Sequence, residues 1–145
     1  IFNFYIENGY AAFLENSVQY GFYDMILNMT HAYPSAAIIS DTGKVIGFGF
    51  LRAYNPLHSF RKTAETTCFL RHDMTRKGIG AITLTHLESG AKKMQGTVLL
   101  ASISSLNSPS LAFYEKQGFS RCGTFPGIGT KFGTDFDVVW MQKRI

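Results

Sequence analysis

Apolar residues recur at helical spacing over the first part of the chain. Four of them predict a first helix within residues 1–13: Phe2, Tyr5, Ile6 and Tyr10. Residues 16–34 predict a second helix, with Asn16 or Ser17 as its N-cap and Pro34 at its end. Its expected apolar stripe consists of Val18, Phe22, Met25, Ile26 and Met29.

A two-residue alternation then replaces the helical period. Residues 36–54 contain two such runs around a turn with Asp41 and Gly43, which predicts a β-hairpin. Residues 62–71 alternate and contain three threonines and the aromatic Phe69, so they predict a third strand. Residues 97–103 form a continuous apolar run, which is typical of a central strand covered on both faces.

Two more helices and two more strands complete the pattern. Residues 78–94 have one apolar face, made of Leu84, Leu87, Ala91 and Met94. Residues 107–119 predict a short helix with Ser108 as N-cap, Pro109 in its first turn and Gly118 at its end. The tail holds two β runs. The order α-α-β-β-β-α-β-α-β-β predicts an α/β (α+β) fold, a mixed central sheet with helices on both faces.

Composition narrows the class of protein only a little. A chain of 145 residues predicts one domain, residues 1–145, and its net charge of +4 suits an anionic ligand without selecting one. Cys68 and Cys122 lie far apart, and the four histidines lack metal-ligand spacing, so we expect reduced thiols and no metal. No apolar run reaches membrane-helix length and no signal peptide is recognisable, which makes the cytoplasm the expected compartment.

The corner Arg76–Ala81 joins the third strand to a helix and holds two glycines and two cations. Such glycines also occur in plain tight turns, but helix N-terminal N–H groups after a strand form an anion site, most often for phosphate. A dinucleotide site would need a third glycine where Thr83 stands, and the P-loop pattern is absent. The corner therefore predicts a site for a diphosphate such as the pyrophosphate of coenzyme A.

The motifs RKGIGA and NSPSLAFYEKQGF, with the tail GIGTKFGTDFDVVWMQ and the strand TAETTCFL, make the prediction more specific. Together they resemble the GNAT N-acetyltransferases, and within them the phosphinothricin and methionine sulfoximine acetyltransferase branch. The start, IFNFYIENGYAAF, resembles that branch's first helix. The resemblance implies the GNAT fold and acetyl-CoA as co-substrate. It also implies a strand before that helix, so we expect further residues before Ile1.

The resemblance assigns residues to the cofactor. It implies that Cys68, Phe69 and Leu70 bind the pantetheine arm through their backbone, beside a gap where the strand of residues 97–103 splays away. The same resemblance places the pyrophosphate on Arg76, Lys77, Gly78, Ile79, Gly80 and Ala81. Asn107 stands where the family has an asparagine that touches the cofactor, although Asn107 would serve equally as a helix-entry residue. Thr75 departs from the family's Gln or Arg, which removes one side chain near the phosphates.

Two residues receive catalytic roles from the resemblance. Glu65 stands where the branch has its proposed general base for the substrate ammonium, and a buried carboxylate is suited to that task near neutral pH. Tyr114 follows the wider family, in which a tyrosine is proposed to protonate the departing thiolate, whereas the closer branch has histidine. A strand glutamate on the surface and a tyrosine that packs on the sheet are the structural alternatives.

The loop before the third strand is expected to bind the acceptor. Arg61 matches an arginine that helps bind the acceptor's carboxylate in the branch, and His58 would line the same pocket; exposed loop residues are the alternative. The resemblance implies a small amino acid or an analogue as acceptor. We expect no nucleic acid or membrane partner. The family often dimerises, and the apolar tail strands of this chain allow a homodimer. A non-catalytic acyl-CoA-sensing module is the alternative function, and an RNA-binding domain would need a basic stripe that the scattered cations do not form.

Overall fold

The computed structural model describes every residue, 1–145. Its four α-helices are α1 (Phe2–Glu7), α2 (Gly21–Thr30), α3 (Ile79–Lys93) and α4 (Ser108–Lys116). Its six strands are β1 (Ser35–Ile39), β2 (Val45–Ala53), β3 (Thr63–Leu70), β4 (Val98–Ser104), β5 (Ser120–Lys131) and β6 (Thr134–Arg144). Short 3₁₀ turns cover His58–Phe60 and His72–Met74. The element order agrees with the predicted order throughout, and no helix is long and apolar enough to cross a membrane.

The strands form one six-stranded sheet in the order β1-β2-β3-β4-β6-β5. The sheet is mixed and has flanking helices, which confirms the predicted fold class. By contacts the chain divides into two compact units: Tyr20–Leu99 with Ile1 and Arg144–Ile145, and Phe2–Gln19 with Leu100–Lys143. The prediction of a single domain stays a prediction.

The first unit is organised by the antiparallel pairing of β2 with β3. Gly49 stands opposite Cys68, and Arg52 stands opposite Glu65. A Cβ on Gly49 would lie 2.8 Å from Thr83 Cγ2, so the missing side chain is what lets α3 pack this closely on the strand. The predicted apolar face of α3 is buried at Leu84, Leu87 and Ala91, whereas Met94 lies past the helix end and is exposed.

The two N-terminal helices are shorter than the sequence predicts. α1 ends at Glu7, and Tyr10 lies in the loop beyond it, where its ring packs against Phe132 and Phe136 at 6.0 Å between centroids in each case. Tyr10 therefore does not extend the apolar face of α1, and its ring packs instead on residues that are distant in the sequence.

The predicted N-cap of α2 is wrong. The helix begins at Gly21 after Tyr20, with no side-chain cap. Ser17 donates instead to the carboxylate of Glu7, and the predicted stripe residue Val18 donates its N–H to Asn3 Oδ1. These bonds to α1 stop α2 from extending back to Asn16 or Ser17. The predicted stripe is also not a buried face, because Met25 and Met29 are exposed.

The predicted N-cap of α4 is wrong by one residue. Asn107, not Ser108, occupies the cap position, and its Oδ1 accepts a hydrogen bond from the N–H of Ser110 at 3.3 Å. Its Nδ2 also donates to Ser110 Oγ. Asparagine and serine are both good caps, and the local pattern does not distinguish them.

The second unit depends on a buried lysine. The ammonium of Lys131 donates to the carbonyl oxygens of Gly9 and Ala12, each at 2.7 Å, and lies 4.8 Å from the centre of the Phe132 ring. Burial lowers the pKa of Lys131 below its usual value, an effect that the nearby Glu15 opposes. The loop after α1 is therefore held to the end of β5 by hydrogen bonds from one side chain.

Replacing this lysine tests its role. We expect Lys131→Met to lower the free energy of unfolding by about 2 kcal/mol or more, because two carbonyl acceptors lose their donor. Urea unfolding of the variant and of the wild type measures the difference. Lys44→Met is the matched control, since Lys44 is exposed in the β1–β2 turn. Equal losses in the two variants would contradict a role for the buried ammonium.

Candidate active site

The corner between β3 and α3 has the backbone geometry of an anion site. Arg76 and Gly78 both have positive φ angles, 59° and 81°. The N–H groups of Ala81 and Ile82 both donate to the carbonyl of Gly78, at 3.1 and 3.2 Å. The five N–H groups of residues 76–80 donate no hydrogen bond within the protein. Alternating left-handed and right-handed residues at the start of a helix make a concave nest of donors, which suits phosphate oxygens.

The cations at this corner differ in their partners. Arg71 forms two hydrogen bonds with Asp73, at 2.6 and 2.9 Å, and the pKa of Asp73 is lowered by this contact. Arg76 and Lys77 are exposed and form no ion pair, although the Lys77 ammonium lies 3.5 Å from Met74 Sδ. Arg76 and Lys77 are therefore the two cations available to an anion at the start of α3.

Thr75 does not substitute for the Gln or Arg that the resembled family has at its position. Its hydroxyl donates to the carbonyl of His72 at 2.9 Å and so closes the preceding turn. The side chain acts within its own loop, and the groups that remain for the predicted anion site are the backbone N–H groups with Arg76 and Lys77.

The strand segment Cys68–Leu70 leads into this corner. Its residues are half-buried and pair with Gly47–Gly49 of β2. Burial raises the pKa of the Cys68 thiol to about 11. Cys68 is therefore a neutral thiol at physiological pH, which makes it a poor nucleophile.

Glu65 is buried near the start of β3, and it forms an ion pair with Arg52 that the sequence pattern does not predict. Arg52 Nη2 donates to Glu65 Oε2 at 2.6 Å, and the two side chains are 39% and 7% exposed. The surface alternative for Glu65 is thus excluded by burial. The sequence predicts both strands but not their register, and it is the β2–β3 register that places Arg52 directly opposite Glu65.

The two residues predicted to bind the acceptor lie together in the loop before β3. His58 begins the 3₁₀ turn, and Arg61 follows it. Both are exposed, and Arg61 Nη1 donates to the His58 carbonyl at 3.2 Å. The guanidinium of Arg61 forms no ion pair with a carboxylate of the protein.

Asn107 and Tyr114 belong to the second unit, on α4. The amide of Asn107 is engaged in the helix cap described above. Tyr114 is buried, and its ring lies edge-on to Phe119, with 4.9 Å between centroids. The ring of Tyr114 is packed as the structural alternative expects, and its role as the proton donor to the departing thiolate stays a prediction.

The first unit thus brings most of the predicted residues onto one continuous segment. Glu65, Cys68–Leu70 and Arg76–Ala81 follow one another along β3 and into α3, and the loop with His58 and Arg61 precedes them. The structure contains no group of three or more His, Cys, Asp or Glu side chains placed to hold a metal ion. The segment therefore contains a buried carboxylate and a run of backbone N–H groups that donate no hydrogen bond within the protein.

Known proteins resemble this chain in sequence. An L-methionine sulfoximine/L-methionine sulfone acetyltransferase of Pseudomonas paraeruginosa is 32% identical over 113 residues. The match covers 78% of this chain and 66% of the relative, so the chain spans slightly less than two thirds of that relative's length.

Solved structures resemble it over its whole length. A ribosomal-protein-alanine N-acetyltransferase from Brucella melitensis has a TM-score of 0.89 at 29% identity and covers 100% of this chain and 90% of its own. A phosphinothricin acetyltransferase from Sinorhizobium meliloti, in complex with AcCoA, has a TM-score of 0.93 at 24% identity, with coverages of 100% and 80%; it shows the fold alone.

The family profile described as Acetyltransferase (GNAT) family matches residues 1–119. The match includes Glu65, the anion corner and α4, and it extends over most of the chain. The chain belongs to the acetyltransferase (GNAT) family.

Proposed function

We propose that this chain transfers an acetyl group from acetyl-CoA to the primary amine of a small amino acid or an amino-acid-like compound. The observation that carries the proposal is the anion corner, where five adjacent N–H groups and two cations stand at the start of α3. The relative that acts on methionine sulfoximine, by its name, supports the class of acceptor. By its name, the ribosomal-protein-alanine N-acetyltransferase supports an alanine of a protein as the competing acceptor.

The proposed binding of acetyl-CoA uses backbone donors first. The N–H groups of residues 76–80 and the charges of Arg76 and Lys77 would hold the pyrophosphate. The backbone of Cys68–Leu70 would bind the pantetheine arm, and an N–H of this strand would polarise the thioester carbonyl. Asn107 would touch the cofactor with a side chain whose amide already forms the cap of α4.

The proposed reaction forms one bond and breaks one. The acceptor nitrogen bonds to the acetyl carbon as the carbon–sulfur bond of the thioester breaks. Glu65 takes the proton that the acceptor ammonium must lose before its nitrogen can attack. The departing thiolate takes up a proton, for which Tyr114 is the proposed donor. The second proton, which the nitrogen loses as the amide forms, returns to Tyr114 through solvent, and Glu65 releases its own proton to solvent. Arg61 and His58 would hold the acceptor's acidic group from the loop before β3.

Transfer is direct, without an acetylated cysteine. Burial raises the pKa of the Cys68 thiol to about 11, so only a very small fraction of this side chain is ionised near neutral pH. Cys122 is exposed on β5, in the second unit, and its thiol donates to the Trp140 carbonyl at 3.4 Å.

Removing the charge of Glu65 tests the enzyme and its base together. We expect thiol release from acetyl-CoA with at least one member of an acceptor panel, and we expect Glu65→Gln to lower kcat/KM by about a hundredfold or more. The panel contains methionine sulfoximine, phosphinothricin, the common amino acids and a peptide that begins with alanine. Glu115→Gln is the matched control, since Glu115 also pairs with an arginine but is exposed on α4.

The outcomes of this panel separate the hypotheses. Turnover with the peptide alone would show an acetyltransferase whose acceptor is not the proposed small molecule. CoA binding by calorimetry without any turnover would favour the sensing module. A folded protein that binds no CoA would contradict the whole proposal.

Neutralising the corner tests the phosphate site. We expect the double variant Arg76→Gln/Lys77→Gln to weaken CoA binding by about fivefold to fiftyfold, because two partly screened charges near the phosphates are lost. Calorimetry at two salt concentrations measures the change, and the wild type should show the steeper salt dependence. Lys92→Gln/Lys93→Gln removes the same charge from the opposite end of α3 and should leave binding nearly unchanged. Equal weakening in both pairs would mean a general field effect rather than a site.

Thiol labelling tests the direct mechanism. At pH 8 the ionised fraction of Cys68 should be about a hundredfold lower than for a thiol with the ordinary pKa of 9.0, because its pKa is raised to about 11. We expect iodoacetamide to label Cys122 rapidly and Cys68 only after unfolding in guanidinium, as read by peptide mass spectrometry. An acetyl group found on Cys68 after incubation with acetyl-CoA would overturn the direct mechanism.

A further inference from the structure

Arg52 and Glu65 form an ion pair that no part of the proposed mechanism yet uses. The two residues stand directly opposite each other in the β2–β3 register. Arg52 Nη2 donates a charge-assisted hydrogen bond to Glu65 Oε2 at 2.6 Å. Glu65 is 7% exposed and Arg52 is 39% exposed, so the carboxylate lies inside and the guanidinium reaches outward.

The pair lies on one face of the sheet, away from α3. Gly49 faces α3, since a Cβ there would contact Thr83 and Leu87. Arg52 is three residues further along the strand and therefore lies on the other face. Phe48 and Phe50 share that face, and the Phe48 ring lies 5.7 Å from that of Phe69 across the strands. Phe50, two positions before Arg52 on this face, is buried, so the pair has an apolar residue next to it along the strand.

A carboxylate that is buried away from water is stabilised by a cation that hydrogen-bonds to it. Arg52 supplies that cation from the neighbouring strand through a hydrogen bond from Nη2 to Glu65 Oε2. A contact through one carboxylate oxygen also fixes the direction in which the side chain points, because it restricts the terminal torsion of Glu65.

We propose that Arg52 is a positioning residue for Glu65, whose carboxylate it holds in one orientation for the acceptor amine. This inference rests on the proposed function. Arg52 acts through Glu65 and does not contact the acceptor. A structural ion pair would affect stability alone, and a guanidinium that binds the acceptor would affect KM independently of Glu65.

A kinetic double-mutant cycle distinguishes these roles. Arg52→Met should lower kcat by about tenfold or more, with the KM for acetyl-CoA unchanged, and Arg52→Lys should recover part of the loss. In the Glu65→Gln background, Arg52→Met should change kcat by less than about twofold, because the group on which it acts is already gone. Arg52→Gln keeps a hydrogen bond without the charge and replaces Arg52→Met if that variant fails to fold.

Three outcomes would overturn the inference. Equal losses of kcat in both backgrounds would show a role independent of Glu65, and a raised acceptor KM in both would show that Arg52 binds the acceptor. A wild-type level of kcat in Arg52→Met would show a structural pair. Absence of turnover by the wild-type protein with every acceptor would overturn the proposed function as well, whereas turnover with additive losses would overturn this inference alone.

Discussion

The antiparallel register between β2 and β3 is the constraint on which the rest of the first unit depends. It places Arg52 opposite Glu65 and Gly49 opposite Cys68. A slip by one residue would turn Glu65 toward α3 and turn Cys68 away from it, because side chains alternate between the faces of a strand. Gly49 also lets α3 pack closely, and α3 begins at the corner where the proposed anion site lies. One pairing thus sets the buried carboxylate and the start of the helix together.

The chain divides its charges between structure and ligand. Arg71 is paired with Asp73 and Arg121 with Glu115, both at the surface, where such pairs stabilise little. Lys131 is buried on carbonyl oxygens and holds the loop after α1. Arg76 and Lys77 have no carboxylate partner and stand beside N–H groups without acceptors. A modest net charge therefore contains a local concentration of positive potential that the total of +4 does not reveal.

The tail motif that carried part of the family resemblance has a physical basis in the structure. Lys131 provides the buried ammonium, and Phe132 and Gly133 form the two-residue turn between β5 and β6 with φ angles of 52° and 72°. A two-residue hairpin turn of this kind needs positive φ at both central positions. The motif therefore combines a hairpin turn with a lysine that binds a loop distant in the sequence. The sequence motif alone predicts neither of these structural roles.

The sequence by itself determined the order of the ten elements, the central strand, the buried face of α3 and the place of the anion corner. Each of these depends on periodicity or on neighbours within a few residues, which the pattern of side chains records directly. Only the tertiary structure decided where α1 and α2 end and begin, that Asn107 and not Ser108 caps α4, that Lys131 is buried, and that Arg52 is the partner of Glu65. Asn107 and Ser108 are adjacent and are both good N-cap residues, so local sequence could not distinguish them. The other outcomes depend on contacts between residues 10 to 122 positions apart, whose pairing is selected by the packing of the whole chain and not by local propensity.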